Sequence, residues 1–304
     1  MRIIITGGTG LIGRALADNL VADGHEVIVL SRNPQPVAGL PAGVRVERWD
    51  GRTAEGWGTL EDGADAIVNL AGESIAAGRW TAERKRRLLE SRLQAGAAVV
   101  QAVEAATHKP RVVIQSSGIG YYGFHGDEKL TEEAPAGKDF LGQLAVVWEA
   151  STAPVEKLGV RRAIIRTSAV LSLEGGALPR WLLPFRLFIG GPIGGGRQWV
   201  PWIHIADEAA ASRFLIEHET ASGPFNLAAP NPLTNAEFGR VIGRVLGRPA
   251  FMPAPAFVLR LALGELATVV LEGQRAVSRR LTDLGFAFRF PDAESALRDL
   301  LRKK

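Results

Sequence analysis

The stretch Thr6-Gly7-Gly8-Thr9-Gly10-Leu11-Ile12-Gly13 constrains the fold more than any other part of this chain. It follows directly on the apolar run Ile3-Ile4-Ile5 and opens a segment, 11–21, that reads as a helix ended near Gly24. Glycines at these offsets, between a strand and a helix, form the pattern of a dinucleotide-binding turn. Gly7 permits the tight turn, Gly10 lets a pyrophosphate approach the backbone, and Gly13 lets the helix pack closely on the strand. The N–H groups at the helix start, at Leu11 and Ile12, then face the phosphates, and the helix dipole favours their charge.

Strand and helix signals alternate from there on. Strands are expected at 26–30, 44–49, 66–70, 112–115 and 163–166, each a short apolar run, as when helices cover both faces of a parallel sheet. A long helix is expected over 82–106, with Leu88, Leu89, Leu93, Val99, Val100 and Val103 as its apolar stripe. The prediction is an α/β fold with a Rossmann-like, doubly wound parallel sheet over 1–170. After Ser168 the texture changes, and 175–196 is rich in glycine and proline. A Trp-rich strand is expected over 199–205, with Asp207 placed to cap a helix over 208–217, so that 199–218 returns to the first domain. From Pro230 the chain reads as helical, and 171–304 is expected to form a smaller, mostly helical substrate lobe over the carboxyl edge of the sheet.

With 46% hydrophobic residues in 304, a well-buried core is available to one large domain or two joined ones. A net charge of +4 is too dilute to argue for nucleic acid, though a mildly positive field favours an anionic ligand. The absence of cysteine excludes disulfides, thiol nucleophiles and zinc–thiolate sites, and the five histidines show no metal-ligand spacing, so no metal is expected. No targeting segment is visible, and the apolar stretch 257–271 carries Arg260 and Glu265 and is too short to span a bilayer. The expectation is a cytoplasmic protein with a small-molecule substrate and no membrane partner. The terminal Arg302-Lys303-Lys304 is expected to be solvated, and the oligomeric state is left open.

The end of the second strand indicates which dinucleotide. An NAD site usually places an acid there, whereas this chain has Leu30-Ser31-Arg32-Asn33. Arg32 can fork onto a 2′-phosphate and Ser31 can donate to it, so the expected cofactor is NADP(H). Asp50 either accepts from the adenine amino group or is a loop residue. In Asn69-Leu70-Ala71-Gly72, small residues let the chain run beneath the adenosine ribose. The run Arg84-Lys85-Arg86-Arg87 reads as the wet face of a helix, while Arg92 can reach the phosphates. Glu73 either orients a ligand hydroxyl or caps the next segment.

With these residues in place, the chain resembles the extended short-chain dehydrogenase/reductase superfamily, and within it the atypical branch of epimerase-family oxidoreductases. The likeness runs the full length through NLAGESI, SSGIGYYG, LLPFRLFIGGPIGGGRQWVPWIHIAD, LEGQRAVSRRL and GFAFRFP. It implies NADP(H) binding by Ser31, Arg32, Leu70, Ala71 and Arg92, and implies that Val170 lies near the nicotinamide half. It supplies no substrate.

In that superfamily a Ser polarises the substrate carbonyl, and a Tyr and Lys, as Y-x-x-x-K on a helix, manage the proton. Here the Tyr position falls at Leu141, the Lys position at Ala145 and the usual Ser position at Gly118. Two explanations follow. In one, the chain is an NADP(H)-dependent oxidoreductase or epimerase of a small carbonyl or hydroxyl compound, with Ser117 and Tyr122 as the substitute donor and acid. In the other, it binds NADP(H) without turnover, as a redox-responsive or scaffold protein. His204 reads as a core histidine and His125 as a solvated one. The segment 190–202 is either a substrate-side loop, through Arg197, Gln198, Trp199 and Trp202, or a crossover whose tryptophans fill the core between the lobes.

Overall fold

Ile3, Ile4 and Ile5 are all fully buried, the middle one on the opposite face from its neighbours, and this is why the run is unbroken rather than alternating. The structure, a computed structural model, describes residues 1–33 and 39–302; Lys303 and Lys304 of the expected solvated tail lie outside the described residues. The main sheet has strands β1 Arg2–Thr6, β2 Glu26–Ser31, β3 Arg45–Arg48, β4 Ala66–Asn69, β5 Val112–Gly118, β6 Arg161–Thr167 and β7 Gly223–Leu227. Their spatial order is β7-β6-β5-β4-β1-β2-β3, and every neighbouring pair is parallel. The order reverses between β1 and β4, and there the carboxyl ends of the strands open a crevice.

Helix α1 (Leu11–Ala22) covers one face, burying Leu16 and Leu20 among Ile3, Ile5, Val27 and Val29. Helix α2 (Ala82–Ala105) covers the other, burying Ala95, Val99 and Val103 among Ile4, Ile28 and Ile67. Helix α3 (Phe140–Ala150) follows β5, and α4 (Leu178–Arg186) opens the second lobe. Helix α5 (Ile205–Glu217) then returns to the sheet beside α1, with Ala211 and Leu215 in the same core.

Three local differences from the sequence reading have physical causes. The expected strand over 199–205 breaks at Pro201: Trp199–Val200 pairs with Leu233–Thr234, and Trp202–His204 with Ala169–Leu171. Helix α5 starts at Ile205 and is capped by extended His204, whose Nδ1 accepts from Ala206 N at 3.0 Å. Asp207 is buried instead, its carboxylate accepting from Arg289 N and Phe290 N at 2.9 Å each, which ties α5 to the C-terminal chain. β7 is an additional strand that 223–227 conceals, because Gly223 and Pro224 are poor strand formers tolerated at a sheet edge.

The second lobe has its own core of Leu182, Phe185, Trp202, Phe238, Ile242 and Leu297. Its longer helices are α4, α6 (Asn235–Leu246), α7 (Ala256–Leu263) and α8 (Ala293–Arg302). The loop after β4 grips this lobe: the Arg79 guanidinium donates to the Leu261 and Ala262 carbonyls at the end of α7. Trp80 packs in one cluster with Leu144 and Leu266. Among the described residues no helix is long and apolar enough to cross a membrane.

Candidate functional site

The glycine turn lies against the end of β4. Gly7 has φ +68°, and a Cβ there would stand 2.9 Å from the carbonyl carbon and oxygen of Leu70 and 3.0 Å from Ala71 N. A Cβ on Gly13 would fall 2.5 Å from Gly8 Cα, so helix and turn touch backbone to backbone. Gly10 N donates to Gly7 O at 3.0 Å, which closes the turn. Extended Gly10 begins α1 with no side-chain cap and no acid in the first turn, so the amides of Leu11 and Ile12 keep no partner within the helix. Backbone donors left free at a helix start, in a cradle that any Cβ would fill, fit a pyrophosphate.

Across the crevice, Leu11 meets the chain that follows β6. A Cβ on Gly176 would stand 3.3 Å from Val170 O and 3.4 Å from Leu11 Cδ2. The fold thus brings Leu11, Val170 and Gly176 together, although 159 positions separate Leu11 from Val170 in the chain (170 − 11).

On the adenosine side, Arg32 is exposed and runs over Gly51, its Cδ 3.6 Å from where a Cβ would sit. Ser31 Oγ donates to Asn33 O at 2.8 Å. Asp50 holds its own loop: Oδ1 accepts from Arg52 N and Thr53 N at 2.7 and 2.9 Å, and Oδ2 accepts from Thr53 Oγ1 at 3.0 Å. Arg92 is buried beside Gly72, one residue beyond Ala71, with Nη1 donating to Glu73 O and Leu88 O and its guanidinium 4.4 Å from the Trp148 ring centre. Burial draws its pKa down to about 10, so it stays charged at neutral pH. The basic run after Thr81 is a clamp more than a wet face: Arg84 and Arg87 pair with Glu73, and Lys85 lies 2.6 Å from Glu265. Slight burial raises the Glu73 carboxyl, but Arg87 and Arg84 outweigh it and hold it below the usual range.

The ends of β1, β4 and β5 are joined by a buried polar ladder. Thr6 Oγ1 donates to Asn69 Oδ1 at 2.7 Å, and Asn69 Nδ2 donates to Gln115 Oε1 at 2.9 Å. Beyond it, Ser117 and Tyr122 belong to a second buried network. Ser117 Oγ donates to Glu149 Oε1 at 2.7 Å, and Glu149 takes two bonds from Arg166, at 2.8 and 2.9 Å. Tyr122, fully buried, donates to Asn226 Oδ1 at 2.6 Å and accepts from Arg166 Nη1 at 3.1 Å. Burial pushes the Tyr122 pKa up to about 12, with Arg166 and Asn226 pulling the other way. Ser117 and Tyr122, expected as donor and acid, thus each already donate their hydroxyl inside the protein.

At the superfamily's Tyr and Lys positions, Leu141 packs on Gly120 and Ala145 is buried, both on α3. In the segment 190–202, Trp202 is fully buried in the lobe core and Gln198 Nε2 donates to Ile193 O and Val270 O at 3.0 Å each. Trp199 Nε1 donates to Asp127 at 2.8 Å, and Arg197 alone of the four stays exposed. His204 stacks on Phe290 with ring centres 4.0 Å apart, and His125 Nε2 lies 3.0 Å from Tyr122 O.

Sequence reasoning missed Glu149, Arg166 and Asn226. An Arg directly after an apolar run within a strand, Ala163-Ile164-Ile165-Arg166, is a signal of a buried pair, since an unpaired charge there is not tolerated.

Comparison with known proteins agrees with this geometry. The model of the NAD dependent epimerase/dehydratase family matches residues 3–228, and a domain of unknown function, DUF1731, matches residues 254–300. The Bacillus subtilis epimerase family protein YfhF is 38% identical, with 99% of this chain and 98% of that protein covered. The mouse epimerase family protein SDR39U1 is also 38% identical, covering 99% of this chain and all of that one. The crystal structure of human SDR39U1 (isoform 2) with NADPH superposes with a TM-score of 0.91 at 37% identity over the whole of both chains.

Proposed function

The chain belongs to the NAD-dependent epimerase/dehydratase family, and on that footing we propose that it binds NADP(H) and uses it for oxidoreduction of a small carbonyl or hydroxyl compound. The observation that carries this reading is the uncapped start of α1 in its glycine cradle, with Arg32 exposed just beyond the end of β2 and lying over Gly51. The full-length human relative crystallised with NADPH supports it.

When bound, NADPH supplies a hydride to an acceptor carbon, and a proton must reach the atom that gains the negative charge. The chain's own residues do the rest. Gly7, Gly10 and Gly13 admit the pyrophosphate to the backbone, and Leu11 and Ile12 offer it their amides. Leu70, Ala71 and Gly72 form the floor of the adenosine half, Asp50 holds the loop beneath Arg32, and Val170 with Leu11 walls the nicotinamide half. Ser117 and Tyr122 act as positioning residues, holding the turn after β5, and the proton comes from solvent or from the substrate. With Leu141 and Ala145 in place of Tyr and Lys, direct reduction of an electron-poor acceptor is favoured over epimerisation, which also needs a base for a hydroxyl proton.

The same two residues favour a second reading, in which the cofactor is bound as a redox signal and not consumed. Calorimetric titration with NADPH and NADH, repeated on Arg32→Glu, tests the shared premise. NADPH should bind the native chain more tightly, and the substitution should weaken it about 100-fold or more while barely affecting NADH. Equal losses would sink the 2′-phosphate assignment. A panel of carbonyl and quinone acceptors then separates the readings, since no NADPH oxidation with any of them favours the second.

A further inference from the structure

We propose that the outer face of the C-terminal lobe docks on the surface of an anionic lipid bilayer. Soluble domains seldom expose large apolar side chains in contiguous groups. Here Leu187 and Phe188, just after α4, are exposed, and so are Phe251, Phe257 and Leu261, which lead into and lie along α7. Phe257 is 71% exposed and Leu261 77%, and no residue of α7 is buried. The two segments are bonded into one surface, with Met252 N donating to Gly190 O at 3.0 Å and Ala254 N to Pro192 O at 2.9 Å.

Charge decides what covers this face. The chain has no acid between Glu174 and Asp207 and none between Glu237 and Glu265. Those two stretches carry seven arginines, and all seven are exposed. Arg248 stands over the Phe188 ring, 4.2 Å from its centre, so a basic group meets the apolar ones directly, while Arg244 on the same side pairs with Glu294 at 3.3 Å. Arg240, Arg244 and Arg248 surround a shallow depression of about 380 Å³ next to that rim. Apolar side chains that enter the boundary between headgroups and acyl chains, ringed by arginines, are what an anionic membrane surface attracts. A second copy of the chain fits less well, because a two-fold contact sets the patch against itself and the arginines against one another. The lack of a spanning segment, on which the expectation of no membrane partner rests, does not bear on a face that lies on the bilayer. Eight-residue α7 lies in the interface plane and does not cross it.

The test is co-sedimentation of the full chain with vesicles of phosphatidylcholine alone and of phosphatidylcholine mixed with phosphatidylglycerol. The chain should pellet with the mixed vesicles only, and salt should release it. Phe257→Ser combined with Leu261→Ser should lower the partition coefficient about tenfold or more, with an unchanged melting temperature, since both positions are exposed. Arg248→Glu combined with Arg260→Glu should lower it at least as far. Failure to pellet with either vesicle overturns the proposal, as does binding that both pairs leave unchanged. A concentration-dependent dimer in sedimentation velocity, abolished by the Phe257 and Leu261 pair without any vesicle binding, assigns the face to a second copy instead.

Discussion

The turn after β1 and the turn after β5 stand at the same edge of one sheet and treat their polar groups in opposite ways. After β1, the helix begins uncapped and glycines keep side chains out, so backbone donors remain available. After β5, Ser117 and Tyr122 give both hydroxyls to Glu149 and Asn226, and Arg166 fills the space between them. Available donors in a concave place mark a binding site, whereas donors already matched inside the protein mark framework. The difference separates the glycine turn, whose donors the fold leaves open, from Ser117 and Tyr122, whose hydroxyls it already uses.

The largest effect expected from breaking that contrast is on the framework side. Arg166→Met removes the partner of a buried carboxylate and leaves Glu149 with Ser117 alone. Breaking a buried pair from one side costs about 3–5 kcal/mol, and urea unfolding should show a loss of that size. NADPH affinity of the protein that remains folded should stay near the native value. A mild stability loss with a collapse of cofactor affinity would move Arg166 into the binding site and blur the contrast.

How far sequence reaches follows the same division. The glycine turn was legible because its requirements are local: a positive φ, a close backbone approach and an uncapped helix are all written within eight residues. The sheet was legible wherever strands were unbroken apolar runs, and β7 was not, since Gly223-Pro224-Phe225-Asn226-Leu227 becomes a strand only through its pairing with β6. The network around Arg166 joins residues from five separate segments, so nothing near Ser117 or Tyr122 in the chain reveals where their hydroxyls go. Asp207 shows the same limit. Its cap-like position is local, but its true partners lie more than 80 residues away.

A smaller effect is expected from Tyr122→Phe. The change leaves Asn226 Oδ1 and Arg166 Nη1 each short of one partner, worth about 1–3 kcal/mol of stability. Any NADPH-dependent turnover should survive in the folded protein, because a hydroxyl held up to about 12 by burial is a poor acid at neutral pH. Turnover that falls about 100-fold in Tyr122→Phe with an unchanged unfolding midpoint would make Tyr122 the acid and break the contrast outright.

Glu208 sharpens the contrast from a third position, since it is closed to ligand and its carboxyl is held above the ordinary carboxylate range. It is fully buried on α5, and its carboxyl accepts from Thr167 Oγ1 at 2.7 Å at the end of β6. Burial pushes its pKa up to about 8 from an ordinary value of 4.5, and the Thr167 bond only partly offsets this. Between those values the folded state keeps a proton that the unfolded state releases. The stability Glu208 contributes is therefore complete below its unfolded pKa and is lost as pH rises through about 8. The slope over that window is at most about 1.4 kcal/mol per pH unit for one such group. Glu61, fully buried and also raised to about 8 by burial, adds a slope of the same sign. Glu208→Gln keeps an oxygen for Thr167 and removes the titration, so unfolding midpoints measured from pH 5 to pH 8 should fall less steeply than in the native chain. An unchanged slope would mean that Glu208 is ionised in the fold, and a matched cation would then have to be found beside Thr167.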